Sequence, residues 1–274
     1  MITSSQPHKI SQQFDKYWMI FKIQLQNSLA YPAEFFWRSL AILLFMWVFT
    51  QLWQVAYSTT TNGELAGLTL NQMLWYLMLA ESIELSRPRF ARNIADSVKD
   101  GSIAYLLNKP YDFLLYQMGS SAGDSVLRMA LNLVFGSALV WILVGPPPNP
   151  KGYPFVLVAI VGGWLINYCI TCLIGLTSFI TEEVAPFEWI YQKFIFILGG
   201  MMIPLDLYPV WLQNISKALP FAYMMYGPSK LFVVPTFDFF LKLIILQVFW
   251  IALLGTILIL AYRSGMRRLA INGG

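Results

Sequence analysis

PFVLVAIVGGWLINYCITCLIGLTSFI, residues 154–180, is the stretch that decides the fold: 27 successive residues without a single charge. About 20 apolar residues suffice to cross the hydrocarbon of a bilayer as a helix. Water is absent there, so the backbone must satisfy itself, and a helix does so within one segment. Residues 39–57 and 239–262 repeat the pattern clearly. Residues 68–84, 113–144 and 189–204 repeat it with polar interruptions, the apolar part of 113–144 lying in Ser125–Val144. The expectation is an all-α integral membrane protein with six transmembrane helices in one domain spanning residues 1–274. Composition agrees: 57% of residues are hydrophobic and 12% charged, with a mean hydropathy of +0.59, which excludes an ordinary soluble domain. Ten-residue alternating segments, the mark of a membrane barrel, do not occur.

Lysine and arginine set the expected orientation. With both termini cytoplasmic, the inner segments hold Lys9, Lys16, Lys22, Arg38, Arg87, Arg89, Arg92, Lys99, Lys109, Arg263, Arg267 and Arg268, and the outer ones hold Lys151, Lys217 and Lys230. That bias is the positive-inside rule, and it accounts for the net charge of +4 without a nucleic-acid partner. No cleavable signal is expected, because the first apolar run starts near Ser39. Cys169 and Cys172 form C-x-x-C inside an apolar helix, where packing is the expected role.

Around the spans, residues 11–31 place Phe14, Trp18, Phe21, Leu25 and Leu29 at helical spacing, the pattern of an interfacial amphipathic helix. Glu34 and Arg38 are spaced to pair. Between the second and third spans lies SRPRFARNIADSVKDGSIAYLLNKPYD, residues 86–112. There Ser86 is expected to cap a helix with Pro88 in its first turn, and Gly101 to end it. Phe90, Ile94 and Val98 make one apolar face, with Arg89, Arg92, Asn93, Asp96 and Lys99 elsewhere. Gly119 and Gly123 form G-x-x-x-G, a close helix contact either within the chain or between subunits. Residues 205–238 are rich in aromatics and divided by prolines, and predict two short helices re-entering the outer leaflet.

Three of these features together resemble the type-2 ABC exporter permeases, most closely the bacterial daunorubicin- and viologen-type export permeases: the interfacial N-terminal helix, VKDGSIAYLLNKPYDFLLYQ (98–117), and IPLDLYPVWLQNISKALPFAY (203–223). The resemblance implies a permease of the bacterial inner membrane that pairs with a second permease chain, identical or different, and with ABC ATPase subunits. It implies a coupling helix within residues 87–110, with Arg89, Arg92, Asp96, Lys99, Asp100, Gly101 and Lys109 as candidate contacts to the ATPase. It also implies an outer gate after the fifth span, with Pro204, Trp211, Pro220 and Tyr223 as candidates.

Nucleotide chemistry is missing from the chain itself. No G-x-x-x-x-G-K-[ST] occurs and His8 is the sole histidine, so no ATPase, metal-dependent or triad chemistry is expected. ATP and Mg would be held by the partner, and no cofactor by this chain. Candidate pathway residues are Trp75, Glu81, Glu84, Asp124 and Tyr168. Glu81 and Glu84 either draw in a cation or pair internally, Glu84 with Arg87. Asp124 and Arg128 are spaced for an ion pair. Glu182, Glu183 and Glu188 either touch the ATPase or are solvated. Aromatic residues suit a hydrophobic or cationic small-molecule cargo. The competing functions are an ion-driven secondary transporter, which would want mid-membrane titratable groups and inverted repeats, and a membrane scaffold or assembly protein.

Overall fold

The computed structural model describes residues 6–30, 32–60, 63–181 and 183–272, with side chains except those of residues 6–14, 32, 34, 35, 38, 151 and 268–272. The expected roles of His8 and Phe14, the Glu34–Arg38 pair and Glu182 lie outside the described residues. In chain order the helices are α1 (Gln6–Ala30), α2 (Pro32–Ser39), α3 (Ala41–Ser58), α4 (Leu70–Leu85), α5 (Ala91–Lys99), α6 (Ile103–Leu107), α7 (Phe113–Val144), α8 (Tyr153–Leu176), α9 (Ala185–Leu198), α10 (Val210–Lys217), α11 (Phe221–Met224), α12 (Tyr226–Val233) and α13 (Phe237–Asn272). Among the described residues the one sheet is a two-stranded antiparallel hairpin, Glu64–Leu65 against Leu68–Thr69.

Among the described residues, four segments are long and apolar enough to cross a membrane: Ala41–Ser58, Phe113–Val144, Tyr153–Phe179 and Phe237–Arg267. The other two expected spans are α4, with 16 residues, and α9, with 14. At 1.5 Å per residue they reach about 24 and 21 Å, short of a hydrocarbon layer of about 30 Å. Local chemistry fixes their ends. A capping box between Thr69 and Gln72 starts α4. Gly200, with φ of +68°, turns the chain after α9. Every residue of α4 from Met73 to Glu84 is buried, as befits a helix apolar on all sides. Its neighbours are α3, α7 and α12.

The N-terminal helix is attached rather than free. α1 packs along the first half of α7, where Tyr17 Oη accepts the Asp112 N–H at 2.9 Å and Lys16 Nζ donates to the Pro110 carbonyl at 2.9 Å. A Cβ at Gly123 would lie 2.7 Å from the Phe21 carbonyl, and one at Gly119 3.1 Å from that of Tyr17. The G-x-x-x-G is therefore a contact within the chain, the first of the two expected alternatives. The packed face of α1 is polar as well as apolar, since Gln24 and Ser28 lie on it. Trp18 and Leu29, expected together on one apolar face, are both exposed.

Three short helices, not two, follow α9. Pro209 and Pro220 precede α10 and α11 as expected, but Pro228 sits inside the first turn of α12. Proline is tolerated there because first-turn N–H groups have no intrahelical acceptor. Asp206 holds this region together, accepting from Tyr226 Oη at 3.0 Å and Lys230 Nζ at 2.9 Å. Gln247 of α13 adds a second tie, its Nε2 donating at 2.8 Å to the carbonyls of both Ala159 and Tyr223.

Candidate functional site

The charged segment between α4 and α7 is built differently from its sequence signals. Ser86 does not cap α5. Its Oγ donates to the Ser82 carbonyl at 2.6 Å and accepts from Asn132 Nδ2 at 3.1 Å, so it closes α4. The chain bends at Arg87, residues 88–90 carry no regular structure, and α5 begins at Ala91 with Phe90 as a cap lacking a side-chain hydrogen bond. Burial on one side holds α5 in place instead. Phe90 and Ile94 are buried with Ile103, Tyr168, Cys172 and Leu176 in one cluster. Gly175 of α8 makes room, since a Cβ there would lie 2.8 Å from Ile94 Cδ1. Burying two such side chains contributes roughly 3–6 kcal/mol before entropy is counted.

Two ion pairs fasten the opposite edge. Arg92 Nε lies 2.5 Å from Glu188 Oε2, and Lys99 Nζ lies 2.7 Å from Glu183 Oε1. Glu183 of the loop before α9 and Glu188 of its first turn are thus both joined to α5, with Glu183 still largely exposed. Glu188 holds the Arg92 guanidinium above its ordinary range. A hydrogen bond from Lys99 holds the Glu183 carboxyl below its own.

Most of the remaining candidates of this segment are exposed, and Lys109 is half-buried. Arg89, Asn93, Asp96 and Asp100 are exposed beside Arg92 and Lys99. Asp100 Oδ1 accepts the Ser102 N–H at 2.8 Å, and hydrogen bonds from Ser102 lower its carboxyl below the usual range. Gly101, at φ +76°, reverses the chain between α5 and α6. Lys109 Nζ sits 4.6 Å from the Tyr105 ring centroid and 5.8 Å from that of Tyr111, and Tyr111 raises its pKa. The surface is ionic and lies opposite the buried apolar face of α5.

The pathway candidates are not brought together. Trp75 is buried, its Nε1 donating to the Gly145 carbonyl at 3.2 Å near one end of α7. Tyr168 is buried near the other, donating to the Leu114 carbonyl at 2.5 Å. Asp124 pairs with Arg128 at 2.5 Å, as its spacing predicts, and Glu84 with Arg87 at 2.7 Å. Glu81 and Glu84 are both buried at the end of α4 nearest α5. Of the outer candidates, Pro204 and Pro220 are buried and Trp211 is exposed. Tyr223 donates to the Lys217 carbonyl. Sequence reasoning missed the Asp206–Lys230 pair and the bond from Tyr191 Oη to Asn167 Oδ1 at 2.7 Å. Neither pair has a local spacing that would announce it.

No curated protein matches the chain. A family model described as ABC-2 family transporter protein matches residues 41–273. The match takes in every helix from α3 to α13, α5 and its two ion-paired partners included, and leaves α1 outside. The chain belongs to the ABC-2 transporter family, as a multi-pass membrane permease rather than a nucleotide-binding subunit.

Proposed function

We propose that this permease is the membrane half of an ATP-driven exporter of the bacterial inner membrane, with both termini cytoplasmic and α5 as the element that seats in a partner ATPase. The observation that carries the reading is the mounting of α5: apolar face buried on α8, edge ion-paired to the segment leading into α9, charged face exposed. A rod mounted this way passes a push to three helices at once, α4 through the Ser86 turn, α8 through Ile94 and α9 through Glu188. ATP and Mg belong to the partner, and the permease itself carries out no hydrolysis.

The working unit in this reading is two permease chains, identical or different, with two ATPase subunits. α4 and α9 complete six spans, their shortness offset by α10–α12 on the outer side, where Pro204, Trp211, Pro220 and Tyr223 form the gate. The cargo is a hydrophobic or cationic small molecule, which the resemblance to daunorubicin- and viologen-type exporters supports. Trp75 and Tyr168 serve packing and Glu84 is paired with Arg87, so Glu81 is the group left to meet a cation.

Two experiments test the reading. Affinity purification from native membranes in mild detergent is expected to bring down an ATPase with a phosphate-binding loop. Asp96→Lys with Asp100→Lys is expected to leave membrane insertion intact and cut ATP-driven efflux by at least about tenfold, since like charges facing a docking surface cost several kcal/mol. A correctly inserted double variant with unchanged efflux would overturn the role of α5. Efflux abolished by an uncoupler but indifferent to ATP depletion would favour the ion-driven transporter.

A further inference from the structure

A chamber of about 560 Å³ lies between α1, α7 and α8, with the end of α4 as its fourth wall. That is within the range of about 300–1,000 Å³ that holds a small molecule. Its surface is largely apolar: Trp18 and Phe21 come from α1, Met118 and Met129 from α7, and Trp164 from α8. Trp18 stacks on Phe21 with ring centroids 5.0 Å apart, and Trp164 on Tyr168 at 5.8 Å, so neighbouring rings hold the aromatic walls in place. Trp18, Val126 and Val161 line the chamber and are exposed. The last two belong to spanning helices, so this side opens onto hydrocarbon and not onto water.

The wall is short of acceptors. Asn167 lines the chamber and is 2% exposed. The hydrogen bonds to its side chain both end on Oδ1, from Tyr191 Oη at 2.7 Å and Thr171 Oγ1 at 3.4 Å. Its amino group has no acceptor among the described residues. Two other lining residues add buried polar groups without a partner, the Ser125 hydroxyl and Trp164 Nε1. Buried donors are costly unless something accepts from them. The charged residue on the wall, Arg87, is already paired with Glu84 at 2.7 Å. A fitting occupant is therefore uncharged, aromatic and equipped with an acceptor oxygen, whereas a lipid acyl chain would leave the Asn167 amino group bare. We propose that the chamber binds a small uncharged aromatic molecule that carries a carbonyl-type oxygen and enters sideways from the bilayer, its rings against Trp18 and Trp164 and its oxygen on Asn167 Nδ2. Binding belongs to the permease alone and does not rest on the exporter reading.

Benzophenone has the required rings and carbonyl, and under near-ultraviolet light it inserts into nearby C–H bonds, those of methionine foremost. The test is benzophenone photolabelling of the full chain in phosphatidylcholine nanodiscs, with labelled residues read by mass spectrometry. Saturable labelling at Met118 and Met129 is expected. Fluorenone should suppress it at least about fivefold more effectively than fluorene at equal concentration in the bilayer, a ratio that one neutral hydrogen bond supplies. Fluorene differs only in having a methylene where fluorenone has the carbonyl. Asn167→Ala is expected to erase the ratio, and the comparison of the two competitors on the native chain needs no variant. Ala122→Phe fills the chamber from a half-buried wall position and should abolish labelling at both methionines. Equal suppression by fluorene overturns the proposal, as does a ratio that survives Asn167→Ala or labelling that survives Ala122→Phe. Labelling that never saturates, or that appears in detergent and vanishes in nanodiscs, assigns the chamber to lipid acyl chains and overturns it too.

Discussion

Lys99 Nζ lies 2.7 Å from Glu183 Oε1, joining α5 to the approach to α9 across 84 residues of sequence. Arg92 and Glu188 repeat the join across 96 residues. Exposed pairs of this kind contribute little to stability, typically about 0–1 kcal/mol, so their value is positional. Arg92→Glu is expected to leave the melting temperature within a few degrees of native but to sever ATPase stimulation from cargo binding. Adding Glu188→Arg should restore it. Partner ATPase activity with and without cargo in reconstituted vesicles makes the measurement, and a double variant no better than either single one would refute the join.

Acid should loosen the same attachment. Glu183 has its carboxyl lowered by Lys99 from an ordinary value of 4.5. A lowered carboxylate supports the folded arrangement above its ordinary pKa and loses that support as pH falls through the lowered one. Spin labels at Ser97 and Thr181 are expected to report one distance from about pH 6 to 9, where Lys and Glu are both charged. Broadening of that distance should appear only below the ordinary carboxylate value; broadening between neutral pH and that value would count against the pairing.

Gly123 and Gly255 make a controlled comparison. A Cβ at Gly123 would meet the Phe21 carbonyl at 2.7 Å, a backbone atom that cannot swing aside, while one at Gly255 meets nothing within 4 Å. Gly123→Ala is expected to lift α1 off α7 at a cost of roughly 1–3 kcal/mol. Gly255→Ala should be neutral or slightly stabilising. Thermal unfolding in detergent and proteolysis within α1 provide the readouts, and equal behaviour of the two variants would refute the close approach.

Asp206 ties the turn after α9 to α12. Replacing it with Asn removes the partner of a half-buried lysine and weakens the bond from Tyr226, for an expected loss of about 1–3 kcal/mol. Lys230→Met in the same chain should recover part of that loss, because the stranded charge disappears with it. Melting temperatures of the three variants decide the matter.

The spanning helices were open to sequence reading because an uncharged run of 27 residues has few alternatives, and Asp124–Arg128 was open because a helix brings residues four apart together. Long-range pairing was not. Glu183 and Glu188 had several basic residues to choose from, and nothing local favours Lys99 and Arg92. Ser86 misled for a related reason: its hydroxyl suits the start of α5 and the end of α4 equally, and Asn132, 46 residues away, settles the choice. The shortness of α4 and α9 was hidden by their apolar flanks, which continue into the Ser86 turn and the Gly199–Gly200 bend. Trp75 and Tyr168 look like lining residues by type, yet their polar atoms are spent on carbonyls of the fold.

The Gly199–Gly200 bend has a mechanical consequence for α9. The Tyr226 N–H donates to the Gly199 carbonyl at 3.0 Å and Tyr76 Oη to the Gly200 carbonyl at 2.5 Å. The far end of the helix is thus pinned to α4 and α12, while the near end is pinned to α5 through Glu188. A rod of 14 residues held at both tips cannot slide along its axis, because sliding would break both pins at once. It can pivot: a displacement of α5 would swing the tip at Glu188 while the bend serves as fulcrum, giving a change of tilt instead of a piston stroke.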